Sequence, residues 1–374
     1  MESSRAGTEL QGKTVLQVLP ALEAGGAELG TLDVAAALRG AGARVLVASS
    51  GGRMAAGLGA DHIRLPVDTK NPIGLWRNSG RLGTLIAREG VDLVHAHSRA
   101  PAWSARAAAR RARVPFVTTV HGAYGAGSAA KRAYNRVMAS GDRVIAVSDF
   151  IAEHVEELYG CPRDRVRVVH QGIDAVAFDP SAVRAQEKVK LRTAWGIPEG
   201  AVVALLPGRL TRLKGHGVLI EAMRGLGDMN LVAVFIGSDR SREAYRRELE
   251  SLAEGLPAHF ADHTDNMAVA YAASDVVVSA SIRPESFGRV LAEAGAMGLP
   301  AVSSDLGAAR EIVRHGETGW LVPPGDPAAL AEGIRKALFA AGPALAARAR
   351  AHVLAHFTQD LMCAKTLAVY RELL

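Results

Sequence analysis

Arg283-Pro-Glu-Ser-Phe-Gly-Arg-Val-Leu-Ala-Glu-Ala-Gly-Ala-Met-Gly-Leu-Pro300 is the stretch from which the chain is best approached. Val290, Leu291, Ala294 and Met297 recur at helical spacing after Phe287-Gly288, so a loop hands over to a helix there. Two carboxylates, Glu285 and Glu293, stand on either side of that junction. Their separation would span about 12 Å if all of it were helical. Glu285 precedes the helix and can fold back over its N-terminus, while Glu293 is expected to project from the second turn. The backbone N–H groups between them suit an anion such as a diphosphate. A carboxylate beyond each end suits hydroxyls, as on a ribose and a hexose. Two solvated glutamates on an amphipathic helix are the plain alternative.

The flanks favour a ligand site. Ser274-Asp-Val-Val-Val-Ser279 reads as a buried strand, and Pro300-Ala-Val-Ser303 as another. The carboxylates thus open a helix at the C-terminal edge of a parallel sheet, where open α/β sheets bind ligands. Here the stretch resembles the retaining glycosyltransferases of family 4, which have the GT-B fold. Their signature is two glutamates with seven residues between them, in a setting like Pro-Glu-Ser-Phe-Gly-x-Val-x-x-Glu-Ala. Pro284, Glu285, Phe287, Gly288, Val290, Glu293, Ala294, Gly298 and Pro300 carry the match. The resemblance implies an α/β GT-B fold, with two doubly wound Rossmann-like parallel-sheet domains facing a cleft. It implies that Glu285 reaches the transferred sugar and Glu293 the ribose. It places Phe287, Gly288 and Val290 among the donor-binding residues.

The 374 residues suit two domains, and the composition is that of a globular chain. Two cysteines, Cys161 and Cys363, are too few for a disulfide framework, and Met1 to Gly12 lacks the apolar core of a secretion signal. A cytoplasmic location follows as the expectation. The net charge of +6 suits anionic partners.

Strands are expected at Thr14–Leu19, Arg44–Ala48, Asp92–Ala96, Phe116–Val120, Arg143–Val147 and Arg165–Val169, alternating with helical patterns. The alternation restarts after residue 200, with strands at Ala201–Leu206 and Leu231–Ile236 and around His259, Val276, Ala301 and Trp320. Gly172-Ile-Asp174 and Phe178-Asp-Pro180 resemble the family's hinge segment. The expected domains are 1–180 on the acceptor side and 181–358 for the nucleotide-sugar. The helix in 359–374 is expected to cross back to the first domain.

Other motifs gain meaning from the same resemblance. Pro207-Gly-Arg-Leu-Thr-Arg-Leu-Lys-Gly215 resembles the family's Gly-Arg-Leu-x-x-x-Lys-Gly. A departing diphosphate needs its charge stabilised by a metal or by fixed cations. The chain contains no Asp-x-Asp pair, so Arg209 and Lys214 are the expected cations, and no metal or other cofactor is expected. Gly208 and Gly237, each closing a strand, join the donor-binding set. Gly25 and Gly26 precede a helix and allow close approach of an anion, although a plain turn would use them as well. His121 ends a strand; a contact to the transferred sugar is expected ahead of base catalysis. Ser148 either meets the diphosphate or caps a helix. His259–Met267, with Asp262 and Thr264, resembles the segment that meets the nucleobase. His259, Asp262, His263 and Asp265 fit no standard zinc spacing. Glu311, with Ser303, Asp305 and Gly307, resembles a small loop near the donor; a solvated helix position is its alternative.

Nine Lys and Arg lie between Arg99 and Arg143 against one acid, Asp142. Such a face suits an anionic inner-membrane surface or a phosphorylated lipopolysaccharide inner core. No recognition motif for nucleic acid accompanies it. The expected donor is a UDP-hexose or GDP-mannose. The expected acceptor is a glycan or lipid-linked molecule of the bacterial envelope. A nucleotide-sugar 2-epimerase and a two-domain sugar-binding protein of the periplasmic type are the rivals.

Overall fold

Consecutive residues of the central strands point to opposite faces, and both faces are apolar. Val45 and Val47 enter one core while Leu46 and Ala48 enter another. Val203 and Leu205 are likewise separated from Ala204 and Leu206. Strands buried on both sides belong to parallel sheets covered by helices, and that is the observed architecture. The computed structural model describes residues 10–23, 25–125, 127–237, 243–262, 264 and 266–374. His263, Asp265 and most of the N-terminal arm lie outside the described residues.

The chain divides into two compact units, Met1–Gly172 with Gln359–Leu374, and Ile173–Thr358. The first holds strands β1 (Thr14–Val18), β2 (Arg44–Ser49), β3 (His62–Arg64), β4 (Leu93–Ala96), β5 (Phe116–Val120), β6 (Arg143–Ala146) and β7 (Val166–Val168). The second holds β8 (Val202–Pro207), β9 (Leu231–Ile236), β10 (Ala258–Ala261), β11 (Val276–Ser279), β12 (Ala301–Ser304) and β13 (Gly319–Val322). The sheet orders are β3-β2-β1-β4-β5-β6-β7 and β10-β9-β8-β11-β12-β13. Every ladder is parallel. The connections therefore diverge at β1/β4 in the first sheet and at β8/β11 in the second. These switch points are where such sheets open a crevice for ligands.

Three aspartates tie the strand starts together. Asp92, Asp142 and Asp275 each stand one residue before a strand and accept an N–H from the start of a neighbour: the first of β1 and β5, Thr14 and Phe116, and the second of β8, Val203, each at 2.8 Å. Each satisfies a donor that begins a ladder and pins its register.

The segment expected as a hinge lies, from Ile173 on, with the second unit. Ile173 is buried, its N–H donates to Phe357 O at 2.9 Å, and Phe178 packs edge-on against Tyr271. The helix Gln359–Arg371 lies with the first unit, where Met362, Cys363, Leu367 and Tyr370 share a core with Val15, Val45 and Leu93. Burying side chains of this kind stabilises by roughly 1.5–3 kcal/mol each. Among the described residues, no helix is long and apolar enough to cross a membrane.

Candidate functional site

The second unit builds its site at the β8/β11 switch point. Gly208 follows β8 and Gly237 follows β9, and a Cβ on Gly237 would stand 1.9 Å from Gly208 O. Two bare backbones thus meet at the floor of a cavity of about 210 Å³, lined also by Arg209, Met267, Tyr271, Val290 and Glu293. The stem of Lys214 runs along Gly208, within 3.6 Å of where its Cβ would lie. Lys214 Nζ donates to Glu285 Oε1 at 2.8 Å, and Ser281 Oγ donates to the same oxygen. Arg209 is exposed and has no ion-pair partner among the described residues. Glu285 is fixed through its backbone too: its carbonyl accepts from Ala308 N at 3.1 Å. Gly307 approaches so closely, with a φ of 58°, that a Cβ there would lie 2.4 Å from that carbonyl oxygen.

Glu285 therefore turns towards Lys214. The helix of the opening stretch is Arg289–Ala296, and its N-cap Gly288 has a φ of 96° and no side-chain cap. Glu293 does not project freely. It is only 7% exposed; Tyr271 Oη donates to its Oε2 at 2.8 Å and Arg289 Nε to its Oε1 at 2.7 Å. Burial raises its pKa, with Arg289 and Tyr271 pulling the other way. Two of the four lone-pair sites of an ionised carboxylate remain for a ligand. Phe287 also differs from expectation: its ring is buried against Phe357, so its side chain serves the core. Asp262 is exposed and ion-paired with Arg246 at 2.9 Å. Thr264 Oγ1 accepts from Asn266 N at 3.2 Å. Neither lines the cavity. Glu311 lies in the short helix Ala309–Ile312.

The first unit has a pocket of about 230 Å³ at its own switch point, lined by Leu19, Glu28, His97, Ser98, His121 and Tyr124 among others. A chain of hydrogen bonds fixes its histidines. Gln17 Nε2 donates to Thr31 O at 3.1 Å, which turns Gln17 Oε1 towards His97 Nε2 at 3.0 Å. His97 Nε2 must then carry the proton, so its Nδ1 accepts from His121 Nε2 at 3.3 Å. His121 Nδ1 in turn accepts from Gln171 Nε2 at 3.2 Å. Both His121 nitrogens are engaged in the neutral ring, and burial pushes its pKa down to about 4. With both nitrogens engaged and protonation opposed by burial, His121 is poorly suited to the catalytic role of a base.

Two further expectations change in this unit. Gly25 caps the helix Gly26–Gly40, but Glu28 folds over it, with Oε2 2.2 Å from where a Gly25 Cβ would be. The Glu28 carboxylate thus stands in the first turn, beside the place expected for an anion, where negative charge is favoured. Ser148 is fully buried and accepts from Ile151 N at 3.1 Å, so it is a helix cap rather than a diphosphate contact.

Sequence reasoning missed His97, Tyr271 and Ser281. His97 follows β4 as His121 follows β5, so the strand-end argument would have found it. Arg289 stands four residues before Glu293, a spacing that places the two together on a helix. Tyr271 carries no such signal.

Two bare glycine backbones, a cation beside them and two carboxylates at a switch point define a nucleotide-binding GT-B architecture. The model described as "Glycosyltransferase Family 4" matches residues 24–176, and that of "Glycosyl transferases group 1" matches residues 187–350. The chain belongs to this glycosyltransferase family. It is 32% identical to a D-inositol 3-phosphate glycosyltransferase of Xylanimonas cellulosilytica, over 75% of this chain and 72% of that protein. A glycosyltransferase structure from Rickettsia africae superimposes with a TM-score of 0.89 at 32% identity, covering 96% of this chain and 98% of that one. The fold is shared with Anabaena Alr3699/HepE, solved in complex with UDP-glucose, at a TM-score of 0.80 and 24% identity, over 95% and 99% of the chains.

Proposed function

We propose that the protein transfers a hexose, with retention, from a UDP-sugar to a hydroxyl of a glycan or lipid-linked acceptor, without a metal. The observation that carries this is the Lys214–Glu285 pair beside the bare Gly208/Gly237 floor. An incoming diphosphate competes for Lys214 and frees Glu285 to accept from a hexose hydroxyl. Arg209, unpaired among the described residues, supplies a second cation. Such preorganised donors act on the charge that develops as the glycosidic C–O bond to phosphate breaks. Glu293, held by Tyr271 and Arg289, has lone pairs left for the ribose.

Neither carboxylate is placed as a free nucleophile, and His121 is not an effective base. The acceptor oxygen therefore attacks from the face of the departing diphosphate. Its proton passes to a leaving phosphate oxygen as the new C–O bond forms. The choice of UDP over GDP is supported by the UDP-glucose complex of the Anabaena protein. For the acceptor we propose lipopolysaccharide core or another envelope polysaccharide, with the enzyme held peripherally on the inner membrane's cytoplasmic face by the basic segment Arg99–Arg143. The name of the Xylanimonas relative favours a second reading, a phosphorylated polyol.

The test is transfer of labelled glucose from UDP-glucose in excess chelator, with inositol 3-phosphate and with envelope glycolipid as parallel acceptors. Turnover that stops in chelator and returns with magnesium or manganese contradicts the metal-free reading. Release of an altered nucleotide-sugar without acceptor would favour the epimerase.

A further inference from the structure

The basic segment forms one side of a pocket of about 480 Å³, lined by Trp103, Arg106, Arg136, Val137, Tyr159 and Arg165 among others. Its three guanidinium groups come from separate elements: the helix Arg99–Ala112 and the turns Arg136–Ala139 and Arg163–Arg165. No carboxylate lines it. None of the three arginines has an ion-pair partner among the described residues, whereas their neighbours Arg163 and Arg167 are paired with Glu156 and Glu372. Burial, and then the proximity of Arg110, lower the pKa of Arg106, the direction expected of a cation lacking its counter-charge.

The remaining walls are apolar and fixed. Trp103 Nε1 donates to Tyr134 O at 3.1 Å, and the two rings stack with centroids 6.4 Å apart. Ser140 and Arg165 precede β6 and β7, so the pocket opens towards the N-terminal edge of the sheet. The histidine pocket lies at the opposite, C-terminal edge. The two sites are distinct.

We infer that this pocket binds a phosphate ester, the guanidiniums taking the phosphate and Trp103 and Val137 the carbon portion. Arginine forks suit phosphate oxygens, and the volume falls within the usual range for a small organic ligand. The ester is either a phospholipid headgroup or a soluble phosphorylated polyol. The inference does not depend on the transfer reaction.

The experiment uses the full chain with saturating UDP, Trp103 fluorescence as readout and Trp103→Phe to identify the signal. Glycerol phosphate is titrated at constant ionic strength against the native chain, Arg136→Ala/Arg165→Ala and Arg110→Ala/Arg132→Ala. The last variant removes the same charge from exposed positions outside the pocket. Saturable binding that weakens at least tenfold in the pocket variant, and little in the comparator, supports the site. Sedimentation with phosphatidylglycerol or phosphatidylcholine vesicles separates the two sources. Binding to the anionic vesicles that glycerol phosphate competes away identifies a headgroup. Ester binding without vesicle binding identifies a soluble ligand. Equal losses in the two double variants reduce the site to a general surface field and overturn the inference, as does absence of saturable binding.

Discussion

At the end of β1 the chain assembles histidines whose nitrogens are all engaged and whose protonation burial opposes. At the end of β8 the same topology assembles a lysine, an arginine and two glutamates around a bare backbone floor. The same strand order, but for one extra edge strand in the first sheet, thus places two crevices, and the residues after each strand decide their chemistry. The first offers neutral hydrogen bonds, suited to hydroxyls. The second offers fixed charge, suited to a diphosphate. One fold repeated in a chain can thus offer two chemistries: the sheet supplies the place, and the loops supply the selectivity.

The contrast breaks most visibly at Lys214. Removing one preorganised stabiliser of leaving-group charge costs roughly 10²–10³ in rate. Lys214→Ala should therefore lose that much kcat while keeping its melting curve, because the residue lies on a short turn. A variant with normal kcat would make the Lys214–Glu285 pair an ordinary surface ion pair.

Acid separates the units next. His95 is fully buried between Tyr370 Oη and Thr119 Oγ1, at 2.7 Å each, and its pKa is lowered to about 3. A histidine with a folded pKa below its unfolded value gives full stability above pH ~6.5 and loses it as pH falls towards the folded pKa. Between pH 7 and 5 the loss is on the order of 2 kcal/mol for such a group. Glu293 works in the opposite sense, since its raised pKa favours the fold at lower pH. Hydrogen exchange at the two pH values should show β4 and β5 losing protection, and β4 equally protected at both would contradict it. His216, His259 and His352 add acid-sensitive groups to the second unit, so the difference is one of degree.

The smallest effect concerns His97. Its role is to fix which nitrogen of His121 carries the proton. His97→Leu should lower kcat/KM about tenfold, the magnitude of a misoriented hydrogen bond of about 1.4 kcal/mol. His97→Gln, which can accept through its amide oxygen, should recover part of it. Equal loss in both variants would mean His97 only fills space.

Much of this was legible from the sequence because parallel strands buried on both faces leave continuous apolar runs. All six strands of the second sheet are expected from the sequence, and β8, β9 and β11 show such runs most clearly. The edge strand β3, His62-Ile-Arg64, is not: three residues with two polar side chains give no run to detect. The helix Pro343–His356 escaped for a related reason, as its alanines and arginines mark no clear apolar face. At the site, Glu285, Glu293, Arg209 and Lys214 stand out by motif. Their mutual pairing does not, because Lys214 and Glu285 are 71 residues apart and meet only through the β8/β11 crossover. The Ser148 cap shows the same limit. A polar residue before a helix fits a ligand or a cap equally well until its neighbours are known.

The central claim is that Glu285 restrains Lys214 until a diphosphate takes its place, while Glu293 holds the nucleoside. Calorimetry of UDP binding, with initial rates over donor concentration, tests it in Glu285→Gln and Glu293→Gln. Glu285→Gln should bind UDP at least as tightly as the native chain, because Lys214 is released, and should lose kcat. Glu293→Gln should weaken UDP binding and raise donor KM with kcat little changed. Loss of UDP binding in Glu285→Gln, with Glu293→Gln slowed only in kcat, would contradict the assignment.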